Sequence, residues 1–341
     1  MRVALVSEAT KLGRSANIKL GAVGAFFALA AVFGTVSLPY VQRFRLGAAA
    51  VVGIYCCFLV QLMLALTPGM VVSRKLIAEQ LRDGRVWWLP FLWTLPYLIY
   101  AAGTGDFRIV GWARLVGIGL LLVSVYRLTP VRDLERFAWQ DAVVAVWLIA
   151  VLLGHQLAGI WTVPANLDFI GRLFLIAVAG WTWVFVRPVP ALGYCFNFSN
   201  RTLAAAGRNF ALFAVIAIPV GLALHFIEWN PLHKGVVDFA VSFLEIFLFI
   251  ALLEELFFRG FLQTLISHNL RSARAGQILI SCLFGLFHIL HAPFPNWRYV
   301  LLATVAGWFY GSAFVKGGNL TASALAHAMV DTAWRTFFSK S

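Results

Sequence analysis

Apolar residues fall along this chain in long runs, and the Lys and Arg collect in the short stretches between them. The runs lie near 18–38, 46–67, 86–102, 109–127, 141–158, 169–187, 208–227, 236–258, 274–290, 297–315 and 319–336. A bilayer core takes about 20 apolar residues per helix, and a helix satisfies its own backbone polar groups inside lipid. The pattern predicts an all-α polytopic transmembrane protein with about eleven membrane helices. The third and fifth runs are short. The last is interrupted by His327, Asp331 and Arg335, so hydropathy alone underweights it.

Composition points the same way. Of the 341 residues, 61% are hydrophobic and 12% charged, about half the charged share of soluble domains. Mean hydropathy is +0.85. A soluble globule, a disordered chain and a disulfide scaffold are excluded. The net charge of +13 comes from 27 Lys and Arg against 14 Asp and Glu. Because these cations sit between apolar runs, they read as cytoplasmic loops and not as a nucleic-acid surface. The four cysteines, Cys56, Cys57, Cys195 and Cys282, form no CxxC pair, and predict no disulfide framework.

Loop charge sets an orientation. The first 19 residues carry Arg2, Lys11, Arg14 and Lys19. The segments 68–85, 127–136, 187–208 and 259–274 are also basic, while those near 103–108, 159–168 and 228–235 carry little net positive charge. Arg43 and Arg45 are the exception. The pattern predicts an N-terminus inside, in a cytoplasmic (inner) membrane, with the end of the eighth span facing the cytoplasm. The first apolar run reads as a retained anchor, since no sharp cleavage site follows it.

The loop 188–207, with Pro188, Pro190, Gly193, Asn197, Ser199 and Asn200, is the best boundary. It divides a 1–190 transmembrane extension of about six helices, its role unread, from a 191–341 unit. Before it, ionisable residues within the apolar runs are chiefly Arg114 and Arg172. After it they cluster. Charges in a bilayer cost about 2.5–3.5 kcal/mol each and mark function by default.

Three groups stand out. Glu254-Glu255-Leu-Phe-Phe-Arg259 ends an apolar run. Arg259 lies four residues after Glu255, on the same helical face, so the two can pair. Glu254 is turned about 100° away and stays free to act as a general base on water. The alternative is an ordinary ion pair at a helix end. Phe284-Gly-Leu-Phe-His288 lies in the next run, with His291 three residues on; a hydrogen-bonded core imidazole is its plainer explanation. His327 and Asp331 share a face in the last run. So do Asp331 and Arg335, acid first, the order that favours a helix ion pair. Gly307 and Gly311 signal close helix packing.

Together these groups supply a carboxylate, two imidazoles and a second carboxylate from three helices. Such a set can activate water and stabilise an oxyanion. His and Glu are also zinc ligands, but the HExxH and HxxEH signatures are absent, as is the GxSxG elbow of serine hydrolases.

In order and spacing, Glu254-Glu255-xxx-Arg259, Phe284-xxx-His288 and His327-xxx-Asp331 resemble the motifs of the CAAX prenyl protease and bacteriocin-processing (Abi) family, over roughly 190–341. The resemblance implies an intramembrane endopeptidase of the glutamic type, without a cofactor. It implies a membrane-associated protein or peptide substrate. By position, Glu254 resembles the general base and His288 its helper on water. Glu255 and Arg259 resemble the supporting pair, with Phe284 in the second motif. His327 and residue 331 resemble the oxyanion-stabilising pair. The commonest residue at that last position is Asn. An ionised Asp331 cannot donate a hydrogen bond, so it is protonated, orients His327, or pairs with Arg335. The family also contains members regarded as scaffolds or immunity proteins. A metal-dependent protease, a non-catalytic scaffold and a transporter are the competing functions. The extension could hold a substrate, a partner protein or a lateral gate.

Overall fold

The computed structural model describes residue 24 and residues 27–82, 84–231 and 235–340; most of the basic N-terminal stretch lies outside these. Every apolar run carries helix. The helices are α1 (27–43), α2 (Ala48–Leu66), α3 (Val71–Gln80), α4 (Leu89–Thr104), α5 (Ile109–Leu128), α6 (Trp139–Leu153), α7 (Phe169–Val186) and α8 (Asn200–Ala223). They continue with α9 (Val236–Asn269), α10 (Ala273–Leu286), α11 (Trp297–Gly317) and α12 (Leu320–Phe337). The protein is an all-α polytopic membrane protein. By length and apolarity, six of the described helices can cross a bilayer: α2, α5, α7, α8, α9 and α11. The apolar helices α6 and α10 are shorter. The expected eleven spans are therefore not reached on that measure.

Local sequence sets the helix ends. Ser199, Ser272, Asn296 and Asn319 cap α8, α10, α11 and α12, each side chain accepting from a backbone N–H three residues on. Each such cap is worth about 1 kcal/mol. The short strands β1 (Ile227–Trp229) and β2 (Phe338–Lys340) pair antiparallel, tying the connection after α8 to the end of α12.

The first half packs around α7, whose residues from Leu173 to Trp183 are almost all buried. One side of α7 runs along α9: Phe169 packs on Phe249 at 5.3 Å, and Trp183 stacks on Phe261 at 4.1 Å. At the end of α7, the Arg187 guanidinium donates to both Asp141 oxygens at 3.1 Å. It also donates to the carbonyls of Leu134 and Arg136.

The last five helices meet more closely than ordinary side chains allow. A Cβ on Gly307 of α11 would stand 3.1 Å from Ser281 Cα of α10. One on Gly311 would stand 2.7 Å from Gln263 Oε1 of α9. The predicted small-residue packing signal is thus where α9, α10 and α11 converge.

Candidate active site

The double-Glu motif sits in an irregular part of α9. Residues Phe247–Ala251 and Leu256–Gln263 form wider π turns, and Glu254 and Glu255 occupy the short α segment between them. Such bulges recur at functional sites. They also amend the helical-face argument, which assumed 3.6 residues per turn throughout. The expected pair still forms, with Arg259 Nε 3.2 Å from Glu255 Oε2 and neither side chain exposed. Arg259 Nη2 donates to the Gly307 carbonyl at 3.0 Å. Its guanidinium lies 4.5 Å from the centre of the Phe284 ring and 5.5 Å from that of Tyr310. Phe284 thus forms part of the shell that holds the ion pair.

Glu255 has a second partner. His327 Nδ1 lies 2.9 Å from Glu255 Oε1. A carboxylate paired with arginine only accepts, so Nδ1 carries the hydrogen. The other nitrogen, Nε2, faces Asp331 Oδ2 at 3.4 Å and Glu254 Oε2 at 3.9 Å. Tyr310 stacks flat on the imidazole at 4.5 Å, and Phe284 meets its edge at 5.9 Å. Asp331 does not pair with Arg335, which instead reaches Glu245 at 3.0 Å. That removes the helix ion pair as the explanation for Asp331.

His288 lies just past the end of α10, not within a helix. Its Nδ1 stands 2.8 Å from the Phe284 carbonyl. A carbonyl only accepts, so Nδ1–H donates and Nε2 is left with its lone pair. His291 stacks beside it at 5.5 Å, and the Tyr299 ring lies 4.5 Å away.

Glu254, His288, His327 and Asp331 all line one cavity of about 350 Å³ between α8, α9, α11 and α12. Glu254 keeps 32% of its side chain exposed, whereas Glu255 keeps none. The division between a free and a committed carboxylate therefore appears in three dimensions. The part of the wall supplied by α8, with Phe210, Phe213, Ala214 and Ala217, is apolar. Among the described residues, no three His, Cys, Asp or Glu side chains are grouped to hold a metal ion. Tyr299, Tyr310 and Arg172 are among the lining residues that the sequence did not assign to a site. Tyr310 lies between Gly307 and Gly311, so the packing motif was a usable signal for it. Arg172 stood out only as a charge within an apolar run.

One comparison with known proteins falls on this part of the chain. Residues 236–333 match the family model of the type II CAAX prenyl endopeptidase, Rce1-like. This segment belongs to the CAAX protease family. The Rce1-like segment contains Glu254, Glu255, Arg259, Phe284, His288, His327 and Asp331. Two proteins named lysoplasmalogenase, from Mycobacterium bovis and Mycobacterium tuberculosis, are each 28% identical over 152 residues. That covers 40% of this chain and 58% of each relative, so the match spans less than two thirds of those proteins. A match of that length is longer than the Rce1-like segment and extends outside it. No solved structure matches.

Proposed function

We propose that the protein is an intramembrane endopeptidase of the glutamic type, which hydrolyses a peptide bond at or near the membrane by direct attack of water. The convergence of Glu254, His288, His327 and Asp331 on one cavity carries this reading. Glu254 takes a proton from water as it attacks the carbonyl carbon. The His288 Nε2 lone pair accepts the water's other hydrogen and orients it. The tetrahedral oxyanion accepts from His327 Nε2–H, which requires the doubly protonated ring because Nδ1–H is committed to Glu255. Asp331 orients that ring. Glu254 then returns its proton to the leaving amine. No covalent intermediate forms and no metal takes part.

The family description makes a prenylated protein or peptide the first substrate to try, and the apolar wall of Phe210, Phe213, Ala214 and Ala217 suits such a chain. Residues 191–341 form the protease unit and residues 1–190 an extension that can carry a partner protein. The N-terminus lies inside, in the inner membrane. Terminal-peptide proteomics of host membranes tests the function, comparing wild type with Glu254→Ala at equal expression. A terminus that vanishes in the variant while its precursor accumulates supports proteolysis. A wild-type phenotype fully retained by Glu254→Ala favours a scaffold or immunity role instead. Loss of activity to a chelator, with recovery on zinc, favours the metal-dependent version.

A second reading comes from the lysoplasmalogenase likeness, because it reaches beyond the Rce1-like segment. Purified protein mixed with a lysoplasmalogen in micelles tests it. Consumption of the lipid that survives Glu254→Ala would locate a second hydrolase outside the protease cavity.

A further inference from the structure

Resting on the protease reading above, we propose that Arg172 sets substrate specificity in this cavity. Its guanidinium pairs with the free C-terminal carboxylate of a short peptide tail on the leaving side of the cleaved bond. Arg172 belongs to α7 and lies outside the segment matched by the family model.

Arg172 is the one Lys or Arg on the cavity wall, among the described residues. The other charges there are the carboxyl groups of Glu254 and Asp331 and the doubly protonated His327 ring, which Glu255 and Asp331 already hold. A carboxylate brought between two acids is repelled unless a cation meets it. A guanidinium meets a carboxylate with two parallel hydrogen bonds, a match of shape as well as charge.

Nothing in the fold uses this arginine. It is exposed and makes no hydrogen bond or ion pair among the described residues. Asp168, four residues earlier, instead accepts from Asn166 at 2.8 Å. A cation in the first turn of a helix also opposes the helix dipole. An arginine in an apolar segment carries an insertion cost with no structural return here.

Its height fits a short tail. The contacts of Phe169 with Phe249 and of Trp183 with Phe257 align α7 with α9. Arg172, three residues after Phe169, therefore falls within about one turn of Glu254, and both line the cavity. One turn is about 5.4 Å, and an extended peptide advances about 3.3–3.6 Å per residue. With the reach of the side chain added, the carboxylate lies about one to three residues beyond the bond that Glu254 opens to water.

The test uses the full-length protein in proteoliposomes and a pool of short apolar peptides, with and without S-prenyl cysteine. Each peptide is supplied as the C-terminal acid and as the C-terminal amide. Wild type is expected to favour acids over matched amides by about tenfold or more in kcat/KM, mainly through KM. Arg172→Gln should bring that ratio close to one, and Arg172→Lys should restore part of it. A ratio near one in wild type, or one unchanged in Arg172→Gln, overturns the proposal. So does a rate that follows the anionic phospholipid content equally for acids and amides and loses that dependence in Arg172→Gln. That result assigns the cation to a lipid phosphate. A merely structural role would lower both peptides together and leave the ratio intact, which also overturns it. Glu254→Ala is run alongside: cutting that persists there refutes the protease reading independently of the acid-to-amide ratio.

Discussion

Replacing Arg259 with methionine tests whether the buried ion pair organises the site. Arg259 and Glu255 are both fully excluded from solvent. Methionine fills much of the same volume but leaves the Glu255 carboxylate buried against His327 alone. Removing one partner of a buried pair costs about 3–5 kcal/mol, and about 4 kcal/mol is roughly a thousandfold in the folding equilibrium. The double variant Glu255→Leu/Arg259→Met removes both charges. Buried pairs exchanged for apolar residues of similar size are often neutral in stability, so the double variant should be at least about 2 kcal/mol more stable than Arg259→Met. Equilibrium unfolding of the four proteins in mixed micelles gives the coupling energy. A coupling below about 0.5 kcal/mol, the range found for independent sites, would refute the argument. Activity should behave differently. The double variant should remain inactive although refolded, because His327 Nδ1 has lost the carboxylate that holds the ring.

Glu254→Gln should lower kcat by about a thousandfold, within the usual range for a lost general base; a change in Tm of more than a few degrees would contradict the single loose contact of this side chain at 3.9 Å. Gly307→Ala places a methyl 3.1 Å from Ser281 Cα and 3.3 Å from Arg259 Nη2, so about 1–3 kcal/mol of stability should be lost together with activity, as read by micelle unfolding and peptide cleavage. Tyr310→Phe should keep the ring stacked on His327 and most of the activity, whereas Tyr310→Leu should lower kcat without raising KM; equal kinetics for the two variants would refute a positioning role.

The chain displays its helices and hides how they are bent. Long apolar runs give their positions away because lipid permits little else. The π turns on either side of Glu254 and Glu255 have no such mark, since Phe, Leu and Ile fit an α turn equally well. The pairing of Glu255 with Arg259 was legible because it depends on residues four apart. The contact of Glu255 with His327 was not, because 72 residues separate them and only packing of α9 on α12 brings them together. Asp331 shows the limit of local spacing. Arg335 stood at the right distance along the helix, yet Glu245 of α9 reaches it first. Arg172 was visible as an intramembrane charge, but its cavity is assembled from helices on both sides of the chain.

The first half of the chain does more than cross the membrane, because α7 forms the back of the double-Glu helix. Trp183 stacks on Phe261, six residues past Glu255, and Phe169 packs on Phe249. What fixes the C-terminal end of α7 is the fully buried pair of Arg187 and Asp141 at 3.1 Å, with two further carbonyls and the Tyr126 hydroxyl. None of these residues lines the cavity that holds Glu254. Arg187→Met leaves Asp141 buried without its cation and should cost about 3–5 kcal/mol. If α7 braces α9, that variant should also lose activity under conditions where it remains folded, with kcat falling more than KM rises. Asp141→Leu/Arg187→Met removes the stranded charge and should restore stability and cleavage together. Recovery of stability without recovery of cleavage would show that Arg187 reaches the site by another route. Full activity in the folded single variant would show that α7 is only a neighbour of the double-Glu helix.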